Sequence, residues 1–526
     1  MATQPVGPVR DLDGWAQNFL TRFAESRAVT LGILFLGAFV RFVAYLSNRS
    51  LWHDEANITL DVMQRSAFQL FEPTKLHEQT APIGWLITEW VSGHAFAFSE
   101  LAMRGWPFVA GLLALPLFWL VARRSIGSLG TQIGLLLLAV GLPVIRYATE
   151  VKPYSSDVAF ILLVYLIGFS LLAPVPSRSA RVAAGVGGAV MIWFSHVAVF
   201  GLAAVGILGL VVRRQRRDMA QFKRDLPVWI LWALSLAVCY FTYLSRLMQD
   251  SELTDYGEVV EGYAPLFPRS VQDILWYSDT FMYLFRGSAG IPAAELGAFF
   301  FILGAAVLWR RKRLWLALFV LPVLLALLAS AFGKYAFTGR LVLFAAPCVL
   351  LLVGSAFDFL RFRCGRVSAW VVAIGAVILL IGPLYDVAYR TRNPVSENEV
   401  REALDFLEGN ADPDDVIYLS SGTLKPYLYY SRRGRFNRDI IINGNRHGHN
   451  HFDWDRVTED LETFAGKDRV WVMFSGVWRA KGLDEEEVFL AAARSRGVEK
   501  ESKSFTGVRI YLFDFSEYRA PGTGNN

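Results

Sequence analysis

Apolar residues along this chain gather into blocks of about 18–22, separated by short polar segments. The blocks lie near 29–47, 103–122, 129–146, 155–173, 182–197, 198–212, 226–246, 294–309, 314–332, 341–357 and 367–387. Helices of that length cross a hydrocarbon core of ~30 Å. A soluble enzyme with a large core would instead spread its apolar residues as amphipathic faces. The pattern therefore predicts a polytopic α-helical membrane protein of about eleven spans. The fifth and sixth are divided only by Ser195 and His196.

Basic clusters orient these spans. Arg123–Arg124, Arg178 with Arg181, Arg213–Arg217 with Lys223–Arg224, Arg310–Arg313, and Arg361 with Arg363 and Arg366 fall in alternate loops. A cytoplasmic N-terminus puts all of them inside, as the positive-inside rule requires. Residues 48–102, 147–154, 247–293 and the tail from 390 are then extracytoplasmic. Segment 1–28 is polar and unlike a cleavable signal. Its Leu12, Trp15, Phe19 and Phe23 recur at helical spacing, which fits an interfacial helix or a solvated helix end. The expected organisation is thus an N-terminal segment 1–28, a transmembrane domain 29–389 with first external loop 48–102, and a C-terminal soluble domain 390–526.

Composition agrees: 54% of residues are hydrophobic and the mean hydropathy is +0.36. The net charge of +5 is no sign of nucleic acid. Residues 390–526 hold 20 Lys/Arg and 23 Asp/Glu, so the tail carries −3 and the membrane part +8, where basic residues report topology. Cys239 and Cys348 sit in apolar blocks and Cys364 in a basic loop, which suggests no disulfide framework.

The tail reads as a layered α/β module. Ser396 and Glu399 form a capping box before Val400–Leu407. Asp412-Pro413-Asp414 is a turn, Val416–Leu419 and Val470–Phe474 are strands, Asp455–Phe464 is a helix, and Asp484 caps Glu485–Ala493.

Candidate chemistry lies in the external loops. Trp52-His53-Asp54-Glu55 follows span one, and adjacent carboxylates at a membrane boundary are costly unless water, a partner or a substrate attends them. One of them suits a general base taking a proton from an acceptor hydroxyl; a loop carboxylate capping the next helix is the plainer alternative. Downstream, His77 and Gln79 suit sugar or phosphate contacts, although loop solvation explains each alone. Pro82 opens an interfacial helix with Trp85, Trp90 and Phe96, a headgroup signature. The short second loop, Arg146-Tyr147-Ala148-Thr149-Glu150-Val151-Lys152-Pro153-Tyr154, offers Lys152 to an anionic lipid phosphate and Glu150 to an acceptor or to Lys152. A Tyr/Lys anchor fits the same residues. Lys334 and Arg340, in Gly333–Arg340, put positive charge where topology disfavours it, which suits phosphate binding. His196 ends an apolar span and is more ordinarily structural, and His447, His449 and His451 alternate in what reads as a flexible loop rather than a metal site.

Taken together these strings resemble the GT-C class of integral membrane glycosyltransferases, specifically the bacterial glycosyltransferase family 39 and protein O-mannosyltransferase-like group. The strings are Trp52-His53-Asp54-Glu55, Gln79-Thr80-Ala81-Pro82, Arg104, Tyr147 with Glu150–Tyr154, Phe194-Ser195-His196, and Lys334-Tyr335 with Gly339-Arg340. The resemblance implies inverting transfer of a sugar from a polyprenyl-phosphate carrier outside the cytoplasm, in the inner (plasma) membrane. It implies Asp54 as catalytic base, Glu150 as second acid, and Lys152 and Arg340 on the carrier phosphate, with Tyr154 and His53 beside the substrate. The acceptor is a lipid, a glycan or a protein, and a divalent-metal requirement varies across the class. The second loop is compact and lacks the extended sugar-binding insert of some relatives.

The rival from another class is a transporter or lipid flippase. Transporters place ionisable residues near mid-membrane and often carry internal repeats. Here the spans read as mostly uncharged and no repeat stands out. A sensor or assembly protein working through its tail leaves the loop strings unexplained.

Overall fold

The computed structural model describes residues 12–72, 79–247, 262–363, 365–393, 398–436, 441–443, 460–477, 479–480 and 483–519. His77, Ser396 and the histidines 447, 449 and 451 lie outside them. The chain divides into two compact units. One comprises Met1–Leu46, Arg104–Phe241 and Gly262–Asn393; the other comprises Ser47–Met103, Thr242–Glu261 and Pro394–Asn526.

The first unit is helical, as the apolar blocks predict, with a helix at each expected position. Among the described residues eight helices are long and apolar enough to cross a membrane, from Arg27–Leu46 to Ala369–Arg392. The helices Ser128–Val140, Arg178–Phe194 and Ala294–Arg311 are not among those eight. The first of these is short because the third block breaks at Gly141, before Pro143, and resumes as the helix Leu142–Tyr147. Small residues let helices approach closely where lipid gives no hydrophobic drive. A Cβ on Gly304 would stand 1.8 Å from the Leu352 carbonyl oxygen, and one on Gly130 would stand 2.2 Å from that of Gly354. The spans are less apolar than their pattern suggests: Arg41 is 0% exposed and Asp157 8% exposed. Arg213, read above as a topology marker, also pairs with Asp225 at 3.0 Å and donates to the Leu171 and Ala173 carbonyls. It satisfies the open end of the helix Tyr154–Leu171.

The helix Leu12–Glu25 forms where the 12/15/19/23 spacing predicts it. Gln132 ties its end to the bundle through the Ala24 carbonyl and Thr30.

In the second unit the strands are β1 (Val416–Leu419), β2 (Ile441–Asn443), β3 (Val470–Ser475), a two-residue hairpin of β4 (Arg479–Ala480) and β5 (Leu483–Asp484), β6 (Val498–Phe505) and β7 (Val508–Asp514). Five form one sheet in the order β2-β1-β3-β7-β6. β1 runs parallel to β2 and β3, with Val416 beside Val470, while β7 is antiparallel to both β3 and β6. β3 is buried at every position, the signature of a strand covered on both faces. Tyr418, Phe464, Val472, Phe474, Phe489, Phe513 and Phe515 make the core. Asp484 caps the helix Glu485–Arg494 by accepting from the Glu486 and Glu487 amides. The Asp412 turn closes with Asp415 N–H donating to the Asp412 carbonyl at 3.1 Å. Of 455–464, Leu461–Phe464 is one 3-10 turn.

The first-loop helices His53–Gln64 and Ile83–Ala95 also belong to this second unit. The headgroup reading of the latter needs correction. Trp85 is wholly buried, Trp90 donates to the Arg65 carbonyl at 2.9 Å, and only Phe96 is exposed. Aromatic content alone does not tell a membrane anchor from a core.

Candidate active site

The acidic pair lies in the first turn of His53–Gln64, where the helix dipole favours carboxylates. The cap position is Trp52, extended and without a side-chain bond, and its carbonyl accepts from the Glu55 and Ala56 amides. Asp54 thus lies inside the first turn and does not occupy the cap position. Consecutive helical residues diverge by about 100°, and the pair separates as expected: Glu55 is 1% exposed and Asp54 half-buried. His53 Nδ1 lies 3.3 Å from the Gly422 carbonyl oxygen, an acceptor for that nitrogen when it carries the proton.

Gln79 is buried. Its Oε1 accepts from the Ala81 amide at 2.7 Å and shapes the turn into Pro82, while its Nε2 has no hydrogen-bond partner among the described residues. Glu89, in the helix Ile83–Ala95, was not singled out in the sequence. It is wholly buried, and neither carboxylate oxygen has a hydrogen-bond partner among the described residues. Burial holds its carboxyl well above the usual carboxylate range. An acid in an otherwise apolar helix was the available signal.

The other unit gathers a basic and aromatic cluster. Arg146 Nε donates to Glu150 Oε1 at 2.7 Å, and Glu150 is buried. The Lys152 amide donates to the Glu150 carbonyl, closing a tight turn that leaves Lys152 only 7% exposed. Pro153 ends this turn and Tyr154 begins the next helix. The Tyr154 ring meets Tyr147 edge-on at 5.3 Å, and the Arg340 guanidinium stands 5.8 Å over it. Burial and then Glu150 push the Tyr147 phenol up, against the opposing pull of Arg146 and Arg340. Tyr283 is raised by burial and pulled down by the same two arginines. Arg146, Arg340, Lys152, Glu150 and three tyrosines therefore share one neighbourhood.

Arg340 reaches it through a segment turned at both ends by glycine: Gly333 and Gly339 have φ of +66° and +52°, which residues with a Cβ rarely adopt. Between them the Phe337 amide donates to the Gly262 carbonyl, and Tyr335 donates to that of Leu341. Lys334 is exposed on this segment. Ser195 precedes the half-buried His196, caps its helix and donates to Asp157 at 2.5 Å. The structure thus brings Glu150, Lys152, Tyr154 and Arg340 together in one unit, and His53, Asp54, Glu55 and Gln79 in the other. Arg146, Tyr283 and Asp157 were not singled out in the sequence. Arg146 stood in a string already quoted, while Asp157 was hidden inside an apolar block. Among the described residues no group of three or more His, Cys, Asp or Glu is arranged to hold a metal ion.

The chain has the fold of the GT-C membrane glycosyltransferases. It is similar to the crystal structure of ArnT from Cupriavidus metallidurans in the apo state, with a TM-score of 0.53 and 14% identity over 94% of this chain and 100% of that one. ArnT from the same organism bound to undecaprenyl phosphate gives 0.51 and 13%, over 92% and 98%. An oligosaccharyltransferase from Archaeoglobus fulgidus, tethered to an acceptor peptide containing the NVT sequon, gives 0.50 and 11%, over 96% of this chain and 76% of that one. No protein-family profile and no curated protein matches the sequence. At these identities the likeness is one of fold.

Proposed function

We propose that this protein is an inverting glycosyltransferase of the inner (plasma) membrane that moves a sugar from a polyprenyl-phosphate carrier to an acceptor hydroxyl outside the cytoplasm. The observation that carries the reading is the Arg340 guanidinium over Tyr154, with Lys152, Arg146 and Glu150 in the same cluster. Guanidinium and ammonium groups neutralise a departing lipid phosphate, and aromatic faces suit sugar and prenyl chain. ArnT, one neighbour in fold, binds undecaprenyl phosphate, which supports the same carrier here. Asp54 is assigned as the base, Glu150 as the second acid, and Lys152 and Arg340 as the phosphate ligands. His53, Gln79, Lys334 and His196 are assigned to substrate contacts. The free Gln79 amide donor suits a sugar hydroxyl.

The transporter reading draws on Arg41 and Asp157, ionisable residues within spans. Both are engaged locally, Arg41 by backbone carbonyls and Asp157 by Ser195, so neither argues for a conduction path.

The test is to incubate purified protein with radiolabelled polyprenyl-phosphate sugars and membrane extract, and to find which fraction gains label. Losing a general base typically costs 10²–10⁴-fold. Asp54→Asn should lower turnover by at least about a hundredfold while binding of undecaprenyl phosphate survives, and Glu55→Gln should be milder. Near-normal turnover for Asp54→Asn with a dead Glu55→Gln reverses the two roles.

A further inference from the structure

Three residues of the first external loop hold a left-handed backbone without being glycine: Asn48, Ala97 and Phe98, with φ of 43°, 53° and 52°. Asn adopts that conformation more readily than most residues with a Cβ, but at Ala97 and Phe98 it is unfavourable and calls for surroundings that hold it. In each case the carbonyl accepts a hydrogen bond from the C-terminal domain. Arg401 Nη2 donates to Asn48 at 3.1 Å, Arg433 Nη1 to Ala97 at 2.6 Å and the Tyr429 hydroxyl to Phe98 at 2.7 Å. The turns at Asn48 and at Ala97-Phe98 bracket the stretch that holds the acidic pair.

Other bonds run between the same two segments. The Leu51 amide donates to the Tyr430 hydroxyl at 3.0 Å, Ser50 donates to Glu402 at 2.6 Å, and Arg401 pairs with Glu100 at 3.0 Å. His53 meets the Gly422 carbonyl. Gly422 has no room to move: a Cβ there would stand 2.2 Å from the Ser475 carbonyl oxygen and 2.7 Å from that of Gly476. The helix Ser421–Arg432 is therefore seated on the end of β3, and a rigid path leads from the sheet to His53, next to Asp54.

We propose that the C-terminal domain is a template imposing the conformation of the acidic loop, with Arg401, Tyr429, Tyr430 and Arg433 as positioning residues for Asp54. The catalytic half of this statement rests on Asp54 being the base. The domain is then no independent appendage, and its loss removes turnover without removing carrier binding, whose assigned residues lie in the helical unit.

Arg433→Gln and Tyr430→Phe in the full-length protein test this by hydrogen exchange and by transfer assay. Backbone exchange over residues 48–56 and 95–101 should quicken while the spans stay as protected as before. Turnover should fall about tenfold to a hundredfold, as misplaced catalytic groups do, with affinity for undecaprenyl phosphate unchanged. Adding Ala97→Gly to Arg433→Gln should restore most of the loss, because glycine adopts the left-handed turn unaided. Unaltered exchange in both variants overturns the template. Reduced turnover that Ala97→Gly leaves uncorrected overturns the role given to Arg433. Absence of transfer by the wild type with every donor defeats the enzymatic reading instead, and the exchange result still decides whether the domain holds the loop.

Discussion

Arg41 Nη1 donates to the Ala139 carbonyl at 3.1 Å, from within the first span to a helix 98 residues further along the chain. Its Nη2 donates to Leu138 at 3.0 Å and its Nη1 also to Gly37 at 2.9 Å. Leu138 and Ala139 belong to the last turn of Ser128–Val140, whose carbonyls have no partner within the helix. The guanidinium thus makes the break at Gly141 tolerable inside the bundle, and the segment released by that break carries Arg146, Glu150 and Lys152.

Arg41→Leu strands these carbonyls, at about 1–3 kcal/mol for each buried group left unsatisfied. The unfolding midpoint in detergent should fall clearly, and Arg41→Lys should recover only part because a single ammonium lacks the planar fork. An unshifted midpoint for the Leu variant contradicts the clamp.

Arg340 should dominate carrier binding. Hydrogen bonds to charged groups contribute about 1.5–3 kcal/mol, so Arg340→Ala should weaken undecaprenyl phosphate binding by roughly 10- to 150-fold. Arg340→Lys should fall between the two. A binding isotherm in detergent checks this, and equal affinity in wild type and Ala variant removes Arg340 from the phosphate site.

Glu402 predicts a pH dependence for the template. Burial raises its carboxyl, but the bonds from Ser50 and Arg401 outweigh that and leave it below its ordinary value. A depressed folded-state pKa gives stability that is present above the unfolded value of about 4.3 and lost as pH falls through the folded one. Glu402→Gln should therefore melt below wild type at pH 7, and the gap should close as the pH drops under about 4. A gap that persists at low pH assigns the effect to packing rather than to charge.

Much of this architecture was legible because it obeys simple periods. The apolar blocks foretold the helices, and Asp484 ahead of three glutamates foretold a cap. The break at Gly141 was not legible, since a helix stopped beside an arginine from another span looks in sequence like one continuous block. The edge strand Val498–Phe505 was hidden for a related reason: its residues are almost all polar and exposed, as suits a sheet edge guarded against further pairing. In the site, the residue types were visible one loop at a time. The dependence of the acidic loop on Arg433 and Tyr429 was not, because a left-handed Ala97-Phe98 carries no sequence signature.

The remaining prediction concerns sidedness. The basic clusters, unlike the scattered Lys152, Lys334 and Arg340, fall on one side of an alternating arrangement, and that side should be cytoplasmic. Several of the markers have structural work as well, among them Arg213 with Asp225 and Arg361 with Thr21, so the rule rests on the clusters rather than on single residues. A cytoplasm-dependent reporter fused beyond Arg519, past the packing of Tyr518 on Phe515, should stay silent. Lys334 is exposed on the loop assigned to the opposite side from the basic clusters, and Cys239 and Cys348 are both buried. Lys334→Cys should consequently react in intact cells with a maleimide that cannot cross the membrane, well above the wild-type background. A bright reporter together with an unreactive Lys334→Cys inverts the topology and moves the proposed chemistry to the cytoplasmic face.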